Sequence, residues 1–449
     1  MESLTTSLPP PYSIAIESTP TATSLSPEQK QAFLAYRSGK NVFVTSGGGC
    51  GKTFLLRHIV DDARKRNLTV AVCALTGKAA VLLGRGARTI HSWAGIGLAK
   101  GTKNEITKKV SKKGQSAWKK VDLLLIDEVS MMSRHLFDVL NHIAQTFRFM
   151  LPFGGIQVVF SGDFCQLPPI ADGNCVESGE YCFQSPDWDT VFPIQIELLT
   201  NFRQKDPEFI ALLNRIRVGD HTENDIEFLH SLTLKTCDDE FMPTFISPIK
   251  RQVTTINETE LNGIKTEMKK FIYSEKAPSI IPNGFTKADI KKEIDMLYRS
   301  VPMEPTLLLK RGAQVMCTAN LDVEGGICNG SQGVVVDFRH GCPVVEFLNG
   351  QMLKIEKYTW SSELIPGVSI SQIPLILSWA QTSHKVQGST LESAEINGGR
   401  DIFERGQFYV SLSRVKSSKK LYLSEFDPSS IMVDEIVVDF YRRLRERSD

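Results

Sequence analysis

Val44-Thr45-Ser46-Gly47-Gly48-Gly49-Cys50-Gly51-Lys52-Thr53 follows an apolar run and ends in Gly-Lys-Thr, the pattern with which a strand-to-helix loop cradles a triphosphate. In such a loop the N–H groups of Gly47, Gly48, Gly49, Cys50 and Gly51 face the phosphates. Lys52 reaches the β- and γ-phosphates, and the Thr53 hydroxyl takes a place on Mg²⁺. ATP or GTP is therefore the first expected partner. Ser46, a small residue, stands where the first glycine of the pattern falls.

Around this loop, short apolar runs at 41–45, 68–74, 121–126 and 156–160 alternate with helical periodicity. Continuous apolar strands are buried on both faces, which predicts an α/β fold with a parallel sheet flanked by helices. Runs at 244–246, 374–378 and 421–423 predict a second set of core strands, hence two α/β halves. Segments 310–338 and 344–347 alternate in polarity and are broken by Gly312, Gly325-Gly326, Asn329-Gly330 and Asn349-Gly350. These tight-turn signals predict a small antiparallel β insertion near 304–372. A basic insertion is expected over about 94–120, where Lys100, Lys103, Lys108, Lys109, Lys112, Lys113, Lys119 and Lys120 face Glu105 alone. Apolar residues at helical spacing over 431–444 predict a terminal helix.

With 449 residues the chain exceeds one ordinary core, so two domains with smaller insertions are expected. Lys and Arg number 52 against 51 Asp and Glu, so a nucleic-acid footprint has to come from local clustering. No apolar stretch approaches the ~20 residues needed to cross a bilayer, which argues against a membrane protein. The nine cysteines form no C-x-x-C pair and leave one over in any full disulfide scheme, the pattern of a reduced, intracellular protein. The eight histidines supply no zinc-ligand pairs, which leaves Mg²⁺ as the expected metal. Residues 1–24 are rich in Ser, Thr and Pro and lack Lys and Arg, and read as a disordered tail. They lack the arginines of a transit peptide and the basic start of a secretory signal. Pro9-Pro10-Pro11-Tyr12 suits a polyproline groove of a partner domain.

The run from Val121 ends in Asp127-Glu128, two carboxylates at the end of a buried strand. Asp127 is the expected Mg²⁺ ligand, and Glu128 the general base that orients the attacking water. Ser161-Gly162-Asp163-Phe164-Cys165-Gln166 follows another strand and brings Gln166 to the edge where ligands of α/β sheets gather. Arg203 and Arg414 lie in the second half and reach ATP only across a cleft, where they neutralise charge developing on the phosphates. Trp93, Trp118 and His91 offer surfaces for base stacking, with core packing as the alternative.

Ten segments occur in an informative order: 25–29, the glycine loop, Thr76-Gly77-Lys78-Ala79-Ala80, Thr89-Ile90-His91-Ser92, Asp127 to Met131, Gly162 to Pro169, Asn201 to Gln204, Asn329-Gly330-Ser331, His384 to Gly388, and Tyr409 to Arg414. Together they resemble the Pif-type (petite integration frequency) DNA helicases of superfamily one, relatives of RecD, over residues 25–425. The resemblance implies two RecA-like motor domains, 25–200 and 201–449, with ATP between them and a Src-homology-three-like barrel inserted in the second. It implies a monomeric, Mg²⁺- and ATP-dependent motor moving 5′ to 3′ on single-stranded DNA and opening forked DNA, in replication, repair, recombination or telomere maintenance. It also implies that Gln29 bonds the adenine edge, and that Thr76, Lys78, Thr89, His91, His384, Gln387 and Thr390 touch DNA. The nucleus or another site of DNA replication is the expected location, with the mitochondrion as alternative. An RNA-directed motor and an ATP-switched DNA-binding protein without unwinding remain as rival readings.

Overall fold

A computed structural model describes residues 25–447 except 85, 98, 172–177, 238–240, 302, 323–324 and 363–364. The proline-rich motif at 9–12 lies outside the described residues.

The first half is a six-stranded sheet in the order β3-β2-β4-β5-β1-β6, with β1 Val42–Thr45, β2 Val70–Ala74, β3 Arg88–Thr89, β4 Leu123–Asp127, β5 Gln157–Gly162 and β6 Ile194–Glu197. Every pairing is parallel. β1 and β4 are buried at every position, as expected of strands covered on both faces. All strands run the same way, so the glycine loop after β1, Asp127 ending β4 and Gly162 ending β5 share one edge.

A second parallel sheet runs in the order Ala380–Thr382, Thr244–Ser247, Ala394–Gly398, Leu421–Phe426. The run at 374–378, expected as one of its strands, is instead strand Leu375–Leu377, paired antiparallel with Gln314–Cys317. An apolar run carries no record of which sheet it joins. Here Leu375–Leu377 completes the five-stranded antiparallel sheet that also holds Gln332–Arg339, Cys342–Phe347 and Met352–Lys354. The Asn349-Gly350 turn joins the last two, with Gly350 at φ +82 and its N–H donating to the Phe347 carbonyl at 2.9 Å. Antiparallel pairing begins before residue 304, since Met268–Ile272 pairs with Thr306–Lys310 and Ser274–Lys276 with Ser369–Gln372.

The lysine-rich stretch forms two short helices, Lys103–Lys109 and Lys112–Lys120. Trp118 is fully buried on the second, its ring centroid 4.6 Å from that of Trp93 and its Nε1–H donating to the Ala94 carbonyl. It serves the core rather than a base-stacking surface.

The helix Glu435–Glu446 leaves the second half and returns to the first. Val437, Phe440, Tyr441 and Leu444 belong to the same buried cluster as Phe43, Phe164, Phe183 and Trp188. Phe440 stacks on Phe183 at 4.4 Å and meets Phe164 edge-on at 5.2 Å. The floor under the glycine loop is thus built partly from the far end of the sequence.

Candidate active site

The glycine loop owes its path to positive φ at Gly49 (+93) and Gly51 (+79), and to neighbours that leave no room for a side chain. A Cβ on Gly49 would lie 2.7 Å from Arg203 Cβ, and one on Gly51 2.6 Å from Gln29 Nε2. Helix Lys52–Lys65 starts at once behind Gly51, so its unpaired N–H groups and positive dipole end face the loop, an arrangement that favours anions. Lys52 Nζ lies along the loop, donating to the Ser46 carbonyl (2.8 Å), Ser46 Oγ (2.9 Å) and the Gly47 carbonyl (3.2 Å). Burial pushes the Cys50 thiol above its ordinary pKa.

The second half closes directly on this loop. Gly48 N–H donates to Tyr409 Oη at 2.9 Å, and Phe202 N–H to the Gly49 carbonyl at 2.9 Å. Arg203 Nη1 donates to the Ser413 carbonyl at 2.8 Å, while Arg414 Nε donates to the Val410 carbonyl and Nη2 to Ser413 Oγ at 2.7 and 2.6 Å. A Cβ on Gly48 would sit 3.2 Å from Arg414 Nη2. Burial, then the neighbouring Arg414, pulls the Arg203 guanidinium down to about 9. Arg414 is lowered too, chiefly by burial. Neither arginine, nor Lys52, has a carboxylate partner within salt-bridge distance among the described residues. Buried cations need an anion, and these three surround a phosphate-shaped loop.

Asp127 is buried beside Glu128, and burial together with that second carboxylate raises its pKa. A carboxyl pair held this way gains from a divalent cation. Thr53 Oγ1 makes no hydrogen bond among the described residues. No group of three or more His, Cys, Asp or Glu among those residues forms a cage of its own. The donor set therefore fits Mg²⁺, which keeps waters and shares its shell with phosphates, better than a metal enclosed by protein.

Gln166 is buried and its amide donates to Asp163 Oδ2 at 3.1 Å. The second half reaches this loop at Gly406, whose φ of +71 lets the backbone approach so closely that a Cβ would lie 2.4 Å from the Cys165 carbonyl oxygen. Asp163 itself anchors a network that the sequence did not reveal. Arg217, from helix Pro207–Val218, donates to Asp163 Oδ1 from Nη2 (2.9 Å) and Nε (3.1 Å), and to Glu197 Oε1 at 3.1 Å. Tyr441 Oη donates to Asp163 Oδ1 at 3.2 Å and accepts from Phe164 N–H, and it lies 2.6 Å from Thr45 Oγ1. Burial opposes ionisation of Asp163, but Arg217 and Lys52 outweigh it and hold the carboxyl below its ordinary value. Arg217 is 4% exposed and Asp163 0%, so Arg217→Met leaves a buried carboxylate without its main partner. The expected cost is about 3–5 kcal/mol, read as a lowered urea midpoint; an unchanged midpoint would mean that the pair does not hold the halves together.

Gln29 sits where its sequence position suggests, against the loop, but its amide is engaged. Nε2 donates to the Cys50 and Gly51 carbonyls at 3.4 and 3.3 Å, and Oε1 accepts from Ser26 N–H at 3.0 Å. It closes the capping box of helix Pro27–Arg37 and braces the loop.

Of the residues assigned to DNA, Thr76, Lys78, His384 and Gln387 line one cavity of about 380 Å³ between the halves, along with Glu128 and Asn329. Thr76 caps helix Gly77–Leu83, and Lys78 Nζ donates to the Lys385 carbonyl across the divide. Burial, then Arg414 and Lys385, brings Lys78 down to about 7. Thr89, which caps helix Ile90–Ala94, is not part of that lining, and neither are His91 and Thr390.

Residues 24–227 match the PIF1-like helicase family, and residues 296–338 match the 2B domain of the DNA helicase Pif1. The chain is 38% identical over 435 residues to the ATP-dependent DNA helicase PIF1 of Danio rerio, covering 95% of itself and 65% of that protein. It is 33% identical to the ATP-dependent DNA helicase Pif1 of Bdellovibrio bacteriovorus, covering 93% of itself and 92% of that protein. This chain belongs to the PIF1-like helicase family. It spans about two thirds of the length of the vertebrate PIF1 relatives it matches. Among solved PIF1 structures, Bacteroides sp Pif1 in complex with ADP-AlF4 superposes with a TM-score of 0.78 at 29% identity, covering 94% of this chain and 97% of that one. Bacteroides Pif1 bound to ssDNA superposes at 0.64, covering 94% and 98%. Two parallel sheets of RecA type with antiparallel sheets inserted in the second are thus the architecture this PIF1-like chain shares with its relatives.

Proposed function

We propose that this chain is an ATP-dependent motor that translocates 5′ to 3′ on single-stranded DNA and unwinds the duplex ahead of it. One observation carries the reading: Lys52 from the first half, and Arg203 and Arg414 from the second, converge on the glycine loop without carboxylate partners among the described residues. A polyphosphate answers that charge, and hydrolysis then depends on contact between the halves. Lobe 25–200 would present the loop, Asp127, Glu128 and Gln166, and lobe 201–449 the two arginines, with the antiparallel strands an insertion of the second lobe.

In this reading Lys52 and the loop N–H groups bind the β- and γ-phosphates, Glu128 orients and deprotonates the attacking water, and Gln166 meets the γ-phosphate. Gln29 holds the loop's carbonyls from behind, beside the adenine position. Mg²⁺, held by Thr53 and Asp127, would neutralise charge across the β- and γ-phosphates. Thr76, Lys78, His384 and Gln387 would track the strand through the cavity, with Thr89, His91 and Thr390 touching it outside. The relatives' names and the nucleotide- and strand-bound structures of Bacteroides Pif1 support an ATP-driven DNA role. That the motor works as a monomer in replication, repair or recombination, in the nucleus or another site of DNA replication or in the mitochondrion, is part of the proposal.

The test is a fork carrying a 5′ overhang against one carrying a 3′ overhang, in DNA and in RNA. Unwinding of the 5′-tailed DNA fork alone is expected. Preference for the RNA fork would favour the RNA motor, and ATP-dependent binding without strand separation the switched binder. Strand affinity should fall with salt at a log-log slope of about −0.7 per phosphate neutralised, measured by fluorescence anisotropy; a flat response would remove backbone tracking.

A further inference from the structure

The side chains of Gln387 and Glu128, one assigned to the strand and one to the nucleotide, touch each other. Gln387 Nε2 donates to Glu128 Oε2 at 3.2 Å, across the divide between the halves. Glu128 is one of five described non-glycine residues with positive φ (+59), a conformation that a side chain adopts at a cost of order 1–3 kcal/mol unless its surroundings impose it. Its N–H donates to Asp127 Oδ1 at 2.9 Å, and its carboxylate lies against Gln387 and Gly388 of the segment His384 to Ser389. Gly388 follows Gln387 at φ +76, where a Cβ would lie 3.0 Å from Leu82 Cδ1 and 3.9 Å from Glu128 Oε1. Lys78 ties the same segment to the first half through the Lys385 carbonyl and, at 3.5 Å, Ser389 Oγ. Glu128 and Gln387 both line the 380 Å³ cavity, so the carboxylate faces the strand path as well as the nucleotide edge.

We propose that Gln387 is a positioning residue that latches Glu128. Without a strand, its amide holds the carboxylate turned toward the cavity, where it cannot align water at the γ-phosphate. A single strand entering the cavity takes the Gln387 amide, or displaces its segment, and Glu128 swings free to act as base. Strand binding and the release of Glu128 are then linked through one hydrogen bond, so part of the strand's binding free energy is spent on breaking the latch. The proposal rests on the motor reading above.

Gln387→Ala is expected to raise strand-free ATP hydrolysis about tenfold, equivalent to about 1.4 kcal/mol in the barrier, with KM for ATP unchanged. The ratio of strand-stimulated to basal rate should shrink by the same factor. A role only in holding the strand would leave the basal rate where it was, and that result overturns the latch. A second measurement needs neither nucleotide nor metal. Binding of a labelled oligo-dT strand should tighten about tenfold in Glu128→Ala, because no latch has to be broken. The same substitution in the Gln387→Ala background should add nothing beyond the loss of a negative charge, a non-additivity that a double-mutant cycle reads directly. Equal tightening in both backgrounds reflects charge alone and overturns the proposal. If instead wild-type hydrolysis does not respond to a strand at all, the motor reading fails, whatever the variants do.

Discussion

Replacing Arg203 and Arg414 together by alanine is expected to lower strand-stimulated ATP hydrolysis by about 10³- to 10⁵-fold, the range over which a charge-neutralising arginine acts in phosphoryl transfer. The reason lies in where the two guanidinium groups sit. Both come from the half that does not own the glycine loop, yet Arg203 Cβ is 2.7 Å from the Cβ that Gly49 lacks, and Arg414 Nη2 is 3.2 Å from that of Gly48. Each is held by main-chain carbonyls, Ser413 for Arg203 and Val410 for Arg414. Carbonyls orient a guanidinium but leave its charge for the phosphates. The effect should fall on kcat, because the charge that these groups meet develops during transfer. A double variant hydrolysing ATP at the wild-type rate would show that the two halves do not share one nucleotide site.

Lys52→Ala should cost about 10²–10³ or more in hydrolysis, as expected on losing a preorganised charge at the reacting phosphates. Strand affinity measured without nucleotide should stay within about twofold. Separability follows from geometry: among the described residues the hydrogen bonds of Lys52 Nζ go to Ser46 and Gly47, while Thr76, Lys78, His384 and Gln387 line the cavity proposed for the strand. Loss of strand binding along with hydrolysis, in a protein with an unchanged circular-dichroism melt, would merge the two sites.

Much of the edge proposed for the nucleotide is legible in the sequence because its chemistry is local. The glycine loop, Lys52 and Thr53 are contiguous, Asp127 and Glu128 are neighbours, and each follows an apolar run that can only be a buried strand. What escaped the sequence is long-range. Arg217 and Tyr441 lie far from Asp163 in the chain and carry no motif. The one available signal was an arginine and a tyrosine on the apolar sides of two helices. The run at 374–378 was readable as a strand but not as an antiparallel one, because periodicity reports burial and not the partner. The resemblance points Gln29 at the adenine edge, whereas its amide closes a capping box with Ser26 and also donates to carbonyls 21 and 22 residues away, contacts that no local pattern announces. Trp118 suits base stacking or packing by sequence, and its full burial beside Trp93 decides for packing.

The return of helix Glu435–Glu446 to the first half also bears on how a ribosome can make this protein. Phe440 and Tyr441 complete the ground beneath the glycine loop, but they emerge long after β6 has been synthesised. At about 5–20 residues per second, the interval from Leu198 to Glu435 is roughly 12–50 s. During that time the nascent first half exposes Phe43, Phe164 and Trp188 where the helix will lie, a surface suited to a chaperone. The edge proposed for ATP is finished only when the two arginines from the other half already exist, so on that reading a partly translated chain has no complete engine to idle.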